Sequence, residues 1–444
     1  MTRVLLLSPE RGRPAMAGVG IRFWEMARHL GERHEVTLGI PNEPDECPAL
    51  DAARIVRYDT MNLAGLCRWS DAVVLHGHVS NLYFDHGERR PLVVDLYDPF
   101  PIENLNYFTV LGDRPYRHDH ATLERQLRQG DLFLCSSQEQ RLFYLGMLYA
   151  LGRLNPETYF ADFTLANLVR MVPFGISPAE PEPRQPASLS PPPPILRGAV
   201  PGIGLDDPIV FFGGIYDWYD PMLLVRVLPA LIGRFPALRV VFSIHPNAES
   251  TPQGTYAEVL EACRERGWIG RHVFFVPWVP ADQRARLVRE ATVAAVLHRP
   301  RFEAEISLRT RVLDFLGAGL PVVATAGGVM SRLLEEEHMG WVVPEGDAVA
   351  LTEALEAMLS SPEVRSQFAD RGRRWAAGQN WNTVLQPLLE FLDSPRVDAN
   401  KERYPPGSMR MSAFRRGFGS AFWRALLRRA RSSSRSGPPV ASAW

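Results

Sequence analysis

The feature that most constrains the fold of this chain is a repeated alternation of short apolar runs with stretches long enough to form helices. Apolar runs of about four to eight residues, bounded by turn-forming residues, are typical of buried strands. They are VLLLS (4–8), EVTLGIP (35–41), AVVLHG (72–77), PLVVDLY (91–97), DLFLCSS (131–137) and LVRMVPFG (168–175) in the first half, and PIVFFGGIYDW (208–218), LRVVFSIHP (238–246), HVFFVPWV (272–279), VAAVLHRP (293–300), LPVVATAGG (320–328) and GWVVP (340–344) in the second. Because strands that alternate with helices form parallel sheets covered on both faces, we expect two doubly wound α/β units.

A proline-dense stretch separates the two units. Residues 177–204 read SPAEPEPRQPASLSPPPPILRGAVPGIG, which is too rich in proline for the interior of a helix or a sheet. The sequence therefore predicts an N-terminal domain over 1–176, an exposed linker over 177–207, a C-terminal domain over 208–393 whose last helix could cross back, and a tail over 394–444. Ligands of doubly wound folds bind beyond the carboxyl ends of the strands, so we expect a cleft there.

Composition excludes several classes of protein. With 46% hydrophobic and 22% charged residues over 444 positions, the chain has the makeup of two ordinary globular cores. Its four cysteines are far apart and lack C-x-x-C spacing, so neither a disulfide framework nor a structural zinc site is expected. The first apolar run is too short for a signal peptide, and no segment approaches the roughly 18 apolar residues of a membrane span. We therefore expect a cytoplasmic protein.

The C-terminal tail is strongly basic. From Arg396 onward there are eleven Lys or Arg residues against two acidic ones, a net charge of +9 that leaves −10 for the rest of the chain. In SAFRRGFGSAFWRALLRRARSSSR (412–435) apolar residues recur mostly at three- and four-residue steps between arginines, which predicts an amphipathic helix on an anionic membrane surface. The alternatives are a solvated appendage and, less favoured, nonspecific nucleic-acid binding; no nucleic-acid partner is expected.

The passage from Phe302 to Gly328, FEAEISLRTRVLDFLGAGLPVVATAGG, carries the most chemistry. It predicts a helix that is capped by Ser307 and ends at Gly319. The free N–H groups of the first turn, with Arg309 and Arg311 nearby, would form a site for a diphosphate. The carboxylate of Asp314, about two turns further on, could accept both hydroxyls of a ribose. The paired glycines Gly327 and Gly328 would let the backbone approach a phosphate.

This passage resembles the retaining glycosyltransferases of family 4, and the resemblance extends over nearly all of residues 1–393. It implies a GT-B fold of two Rossmann-like domains, with a nucleotide diphosphate-sugar held mainly by the C-terminal half and a sugar transferred to an acceptor hydroxyl with retention. The family's Glu-x7-Glu pattern places its second, ribose-binding carboxylate at Asp314. Ile306 stands at the first position, so Glu303 or Glu305 must contact the donor sugar, and Glu303 is favoured. The alternative is that these charged residues form an ordinary solvated helix start.

Two glycine turns resemble the family's phosphate-facing loops. Gly213 and Gly214 follow the first strand of the second unit, but the Arg and Lys that usually clamp the diphosphate downstream are absent, which leaves that role to the two arginines above. In the N-terminal loop, Gly18 and Gly20 precede a helix, and Arg22 would either reach a phosphate or lie on the surface.

Five further side chains follow strands at the expected cleft. His76 could contact a donor or acceptor hydroxyl, whereas its neighbour His78 is not expected to take part. Asp98 could orient an acceptor, and Asp95 would cap a turn. Trp278 stands where family members hold the base, with core packing as its alternative role.

No D-x-D motif occurs, so the sequence predicts no metal and no cofactor beyond the donor; arginines and helix N–H groups would stabilise the departing diphosphate instead. The acceptor would be a sugar, a small molecule or, if the tail binds membrane, a lipid-linked sugar. A GT-B nucleotide-sugar epimerase or hydrolase and a catalytically silent nucleotide-sugar-binding protein remain alternatives. A Rossmann dehydrogenase is disfavoured, because the G-x-G-x-x-G fingerprint is incomplete.

Overall fold

The computed structural model describes residues 1–177, 193–245 and 251–404. Within them, the first half of the chain forms a seven-stranded parallel sheet with the order β3-β2-β1-β4-β5-β6-β7. Its strands are β1 (Arg3–Leu7), β2 (Glu35–Ile40), β3 (Arg54–Arg57), β4 (Ala72–Leu75), β5 (Leu92–Asp95), β6 (Leu132–Cys135) and β7 (Val169–Met171). The central strands β1, β4, β5 and β6 are buried along almost their whole length, as expected when helices cover both faces of a parallel sheet.

The second half forms a six-stranded parallel sheet with the order β10-β9-β8-β11-β12-β13 in the described residues. Its strands are β8 (Ile209–Gly214), β9 (Arg239–Ser243), β10 (Val273–Val276), β11 (Val293–Val296), β12 (Val322–Thr325) and β13 (Gly340–Val343). In both sheets the strand order reverses next to the first strand of the unit, β1 or β8. The prediction of two doubly wound α/β units is therefore confirmed.

Helices connect the strands. In the first half they are α1 (Gly18–Leu30), α2 (Leu63–Trp69), α3 (Val79–His86), α4 (Phe100–Glu103), α5 (Phe108–Leu111), α6 (Arg114–Gln129), α7 (Gln138–Ala150) and α8 (Pro156–Ala161). In the second half they are α9 (Pro221–Arg234), α10 (Gly254–Glu265), α11 (Ala281–Arg289), α12 (Phe302–Ile306), α13 (Thr310–Ala318), α14 (Val329–Glu336), α15 (Ala348–Ser360), α16 (Pro362–Ala377), α17 (Trp381–Val384) and α18 (Gln386–Leu392). Short 3-10 helices cover Pro44–Glu46 and Asn104–Tyr107.

The proline-rich stretch can be followed in part. Residues 178–192 lie outside the described part of the chain. In the remainder, Leu196 and Ile203 are buried, and the Glu290 carboxylate accepts hydrogen bonds at 2.7–2.8 Å from the backbone N–H groups of residues 195–197. Residues 193–207 are thus held to the second domain at a few points, while most of them are exposed, as expected of a linker.

The end of the chain returns to the first domain. The buried ring of Trp381 lies 4.9 Å from that of Phe174, and the hydroxyl of Thr2 donates to the carbonyl of Leu392 at 2.7 Å. Beyond α18, Asp398 forms an ion pair of 2.9 Å with the buried Arg153. Residues 394–404 thus pack on the first domain, whereas 405–444, including the predicted helix over 412–435, lie outside the described residues. Over the described ranges, no helix is long and apolar enough to cross a membrane.

Candidate active site

A cavity of about 660 Å³ lies between the two domains at the carboxyl ends of their strands. The first domain contributes Glu10, Gly18, His76, His78, Asp98 and Glu103 to its wall; the second contributes Tyr216, Trp278, Arg284, Arg309, Arg311 and Asp314. Across the cleft, the side-chain amide of Gln140 donates to the carbonyl of Ile306 at 2.8 Å, and Arg332 pairs with Glu139 at 2.7 Å. The predicted cleft therefore exists, and both domains build it.

Arg311 is fixed at the end of β8. Its Nη1 donates to the carbonyls of Phe212 and Gly214 at 3.0 and 2.8 Å, and its guanidinium lies 4.1 Å above the ring of Tyr219. Gly213 between those carbonyls has φ +81°, which only glycine adopts readily. The glycine turn thus orients a cation toward the cavity through its carbonyls.

Asp314 faces the same region from α13, in an ion pair with Arg284 of α11. Burial raises the pKa of the Asp314 carboxyl, and the nearby cations of Arg284 and Arg311 oppose that rise. The structure therefore places a carboxylate and two guanidinium groups together, a pattern that fits ribose hydroxyls beside a diphosphate. Sequence analysis missed Arg284, because nothing in α11 distinguishes it from the neighbouring Arg286 and Arg289.

Trp278 closes the inner end of this region. A Cβ atom on Gly214 would come within 2.9 Å of its ring, so glycine is needed for the indole to lie across the end of β8. The ring borders a smaller cavity of about 50 Å³ shared with Asp314 and Arg284. Its Nε1 is buried without a hydrogen-bond partner among the described residues. A planar ring with an unused donor could hold a base.

The start of α13 differs from its prediction. The helix begins at Thr310, and Ser307 does not cap it; the Ser307 hydroxyl instead donates across the cleft to Glu103 Oε1 at 3.0 Å. The short helix α12 occupies the preceding residues, so Arg309 sits in the bend between two helices.

Arg309 is buried in that bend and already paired. It forms an ion pair with Glu303, its Nε donates to His298 Nε2 at 3.0 Å, and its Nη1 lies 3.5 Å from Glu103. Burial and the two nearby arginines lower the pKa of His298 well below its usual value, so the imidazole is neutral and can accept that bond. Arg309 lines the cavity, but its charge is shared by two carboxylates.

Glu103 is the second residue that sequence analysis missed. Burial, and then the neighbouring Asp98 carboxylate, raise the pKa of Glu103, and burial likewise raises that of Asp98. His76 lies against this pair, with its Nε2 4.0 Å from Asp98 and its Nδ1 2.7 Å from the carbonyl of Asp95. Two carboxyl groups with raised pKa values beside an imidazole can hold and exchange a proton. Glu103 ends α4, a single turn that the apolar pattern does not reveal.

The predictions for Arg22 and Asp95 are wrong. Arg22 is fully buried and neither reaches the cavity nor lies on the surface. Its Nε and Nη2 donate to the two oxygens of Asp95 at 2.6 and 3.0 Å, and it also donates to the carbonyls of Val172 and Pro173 at 2.8 and 3.0 Å. Asp95 is therefore half of a buried ion pair rather than a turn cap.

The N-terminal glycine loop also makes a contact other than the predicted one with a phosphate. The backbone N–H groups of Ala17 and Gly20 both donate to the Glu10 carboxylate at 2.7 Å. The Glu10 carboxylate thus occupies the N-terminal end of α1, where a phosphate was expected. Gly18 does line the cavity, and a Cβ there would lie 3.2 Å from the hydroxyl of Tyr97.

Several predicted residues lie outside the cavity wall. Glu303 reaches it only through Arg309, while Glu305 is largely exposed, 3.6 Å from Arg332. Gly327 and Gly328 precede α14, and the N–H of Gly328 donates to the Ser331 hydroxyl at 2.9 Å. These two glycines line neither cavity.

His78 does line the cavity wall, although no role was expected for it. Its Nε2 lies 3.0 Å from Asp119, and its ring stacks on that of His118 with centroids 4.5 Å apart.

In the described part of the chain, no group of three or more His, Cys, Asp or Glu side chains is placed to hold a metal ion.

Comparison with solved structures identifies the class of fold. Anabaena HepE in complex with UDP-glucose superposes with a TM-score of 0.62 at 16% identity, covering 89% of this chain and all (100%) of that one. WaaG, a glycosyltransferase involved in lipopolysaccharide biosynthesis, superposes with a TM-score of 0.59 at 16% identity, covering 88% of this chain and 100% of that one. The chain has the GT-B fold, and the prediction of two Rossmann-like domains facing a cleft is confirmed.

Sequence comparison matches the second domain to a family of known proteins. Residues 207–361, which lie in the second domain, match the family described as Glycosyl transferases group 1. It is similar to the phosphatidyl-myo-inositol mannosyltransferase of Mycobacterium leprae (strain TN), with 26% identity over 137 residues, 31% of this chain and 36% of that protein. It is also similar to the D-inositol 3-phosphate glycosyltransferase of Salinispora tropica, with 28% identity over 186 residues, 41% of this chain and 37% of that protein. The chain thus spans less than half the length of these relatives.

Proposed function

We propose that this protein transfers a glycosyl group from a nucleotide diphosphate-sugar to an acceptor hydroxyl with retention of the anomeric configuration. The observation that carries the proposal is the grouping of Asp314, Arg284 and Arg311 beside Trp278 at one end of the interdomain cavity. The match of the surrounding domain to Glycosyl transferases group 1 supports it. The two relatives named above are glycosyltransferases, which supports it further.

The residues divide between the two substrates. Trp278 would hold the base, Asp314 the ribose hydroxyls, and Arg311 with Arg284 the diphosphate. Arg284 would exchange its contact with Asp314 for one with phosphate. It would so supply a cation in place of the usual clamp residues, which this chain lacks. At the other end of the cavity, His76 and Asp98 would orient the acceptor hydroxyl.

The reaction would follow a front-face route. The bond between the anomeric carbon and the phosphate oxygen breaks while the acceptor oxygen bonds the same face of that carbon, and the acceptor proton passes to the departing phosphate. Negative charge develops on the diphosphate, where guanidinium groups stabilise it. Arg309 would present one face to the donor, with Glu303 holding it in place. No metal ion is needed in this scheme.

We also propose that the acceptor is lipid-linked and that the tail holds the protein peripherally at an anionic membrane surface. The segment 412–435 supports this, because it interleaves aromatic residues with arginines. The relative from M. leprae, whose name specifies a phosphatidyl-myo-inositol acceptor, is consistent with such a substrate.

Product analysis tests the proposal. The full-length protein is incubated with each nucleotide sugar that raises its melting temperature and with soluble and lipid-linked acceptors, both with and without excess chelator. We expect a glycosylated acceptor whose anomeric coupling by NMR matches the donor's. Release of free sugar or of an epimerised nucleotide sugar, with no glycosylated acceptor, would instead indicate a hydrolase or an epimerase. Binding without turnover would indicate a silent binding protein, and loss of transfer on chelation would refute metal independence.

A further inference from the structure

The two walls of the interdomain cavity carry opposite charges. Among the described residues, the second domain contributes three arginines and one carboxylate to the wall, whereas the first domain contributes three carboxylates and one arginine. Those of the second domain are Arg284, Arg309, Arg311 and Asp314, and those of the first are Glu10, Asp98, Glu103 and Arg11. The cations therefore lie on the side proposed to hold the donor diphosphate, and the carboxylates on the side proposed to orient the acceptor.

Two features of the first domain that could bind an anion are already occupied. Arg11 lies 3.2 Å from Glu46, with its side chain 61% exposed. The N–H groups of Ala17 and Gly20 at the start of α1 both donate to the Glu10 carboxylate at 2.7 Å. A phosphate that bound either feature would have to displace a carboxylate of the protein itself.

The two histidines of this wall also lie beside carboxylates. The Nε2 of His78 is 3.0 Å from Asp119, and that of His76 is 4.0 Å from Asp98. His76 is only 3% exposed, and its Nδ1 is bonded to a backbone carbonyl, whereas its Nε2 makes no hydrogen bond within the described part of the chain. The imidazole thus presents one nitrogen to the acceptor end of the cavity.

Glu103 receives the polar groups that reach it from the second domain. The Ser307 hydroxyl donates to it at 3.0 Å, and Arg309, which forms an ion pair with Glu303, lies 3.5 Å away. Burial raises the pKa of Glu103 and of the neighbouring Asp98, so this pair retains a proton more readily than exposed carboxyls do. With or without that proton, the pair offers oxygen atoms that accept hydrogen bonds and no positive charge.

We propose that the acceptor end of the cavity binds an uncharged sugar or polyol, with no phosphate on the accepting residue, and that Asp98 and Glu103 select it. A hydroxyl both donates and accepts hydrogen bonds, so it can pair with a carboxyl oxygen and with the Nε2 of His76. A phosphate oxygen only accepts, so it would face carboxyl oxygens without a donor. Its charge would also be buried without a cation, which is costly.

This inference rests on the proposed function and names the class of its acceptor. It separates the chain from the relative of S. tropica, whose name specifies D-inositol 3-phosphate. A lipid-linked acceptor fits the site where the accepting sugar is separated from any phosphate by another residue.

Inorganic phosphate tests the acceptor end without knowledge of the acceptor. Its binding to the full-length protein is measured by calorimetry, first without nucleotide and then with saturating UDP, or GDP if GDP raises the melting temperature more. We expect phosphate to bind the nucleotide-free protein through Arg311 and Arg284, and to bind at least about tenfold more weakly once nucleotide fills the donor site.

The His76→Ala variant locates any phosphate that the loaded protein still binds. Binding that this variant weakens would place an anion at the acceptor end and overturn the inference. Binding that it leaves unchanged lies elsewhere on the protein, as expected. Failure of phosphate to bind even the nucleotide-free protein would count against the proposed donor site and not against the anion-free acceptor end.

Matched acceptors test the selection directly. Transfer is measured to glucose and glucose 6-phosphate, and to myo-inositol and inositol 3-phosphate. We expect kcat/KM to be at least about tenfold higher for the uncharged member of a pair, because a like charge within a few ångströms of a buried carboxylate is strongly repelled. Equal use of the two members, or a preference for the phosphorylated one, overturns the inference.

Variants show which side chains are responsible. Asp98→Asn and Glu103→Gln keep the size of the side chain but remove its charge, so each should reduce the preference for the uncharged acceptor. Asp85→Asn is the control, because Asp85 pairs with Arg125 at 2.7 Å and does not line the cavity. An equal change in the control would remove Asp98 and Glu103 as the selecting residues. If none of the four acceptors is glycosylated, the phosphate titration decides.

Discussion

Replacing Arg22 by Met should destabilise the first domain strongly without affecting the donor site. The guanidinium of Arg22 and the carboxylate of Asp95 are both fully buried, and the arginine makes two further hydrogen bonds to the carbonyls of Val172 and Pro173. Through these contacts it ties α1 to the ends of β5 and β7. Methionine fills most of the same volume, so the main effect is loss of charge and hydrogen bonds rather than a void.

The magnitude follows from the fate of Asp95. Without Arg22, its carboxylate stays in the core with no opposite charge beside it, and breaking a buried pair in this way costs about 3–5 kcal/mol. Because whole domains are stable by only about 5–15 kcal/mol, such a loss is large. Removing both charges with Arg22→Met/Asp95→Leu should cost less than the single change, since no buried charge remains.

Urea unfolding followed by circular dichroism measures the stability of the three proteins, and calorimetry at low temperature measures their nucleotide affinity. We expect the order wild type, double variant, single variant in unfolding midpoint, with nucleotide affinity unchanged because Arg22 does not line the cavity. A shift in unfolding free energy below about 1 kcal/mol would refute the burial argument. A fall in affinity as large as that of an Arg311→Met variant would restore the phosphate-binding role.

Three other predictions address the site. Asp314→Ala should weaken nucleotide binding by about 1.5–3 kcal/mol, as expected for hydrogen bonds to a charged acceptor, and unchanged affinity by calorimetry would exclude it from the donor site. Gly214→Ala should push the Trp278 ring away, since the added Cβ would lie 2.9 Å from it, and so lower nucleotide affinity; Gly233→Ala, which meets no atom within 4 Å, is the matched control. Because burial raises the pKa of Glu103 well above its usual value of 4.5, the folded protein retains a proton that the unfolded chain releases, so stability falls as the pH rises above 4.5. Over that rise the free energy of unfolding should fall less in Glu103→Gln than in the wild type, and parallel curves would contradict the raised pKa.

The sheets could be predicted from sequence because their strands are apolar on both faces. The runs at Leu92–Asp95 and Val293–Val296 have no exposed position, and their residues are apolar except for Asp95 at the end of the first run. The edge strand Arg54–Arg57 was missed because only two apolar residues lie between its arginines. Residues 193–207 were assigned to an exposed linker because proline dominates the stretch, yet a few apolar side chains and the Glu290 carboxylate hold them to the second domain.

The donor-side residues were only partly predictable, because a motif specifies which charges are present but not how they are paired. Arg309 and Arg311 stand two positions apart in one passage, and sequence alone gives them the same role. In the fold, the bend between α12 and α13 turns Arg309 toward Glu303 and Glu103, whereas Arg311 turns to the carbonyls at the end of β8. A cation held by carbonyls keeps its full charge, while one paired with the Glu303 carboxylate is largely neutralised. Charge for a diphosphate must therefore come mainly from Arg311 and from Arg284, whose partner Asp314 is itself expected to turn to the ribose.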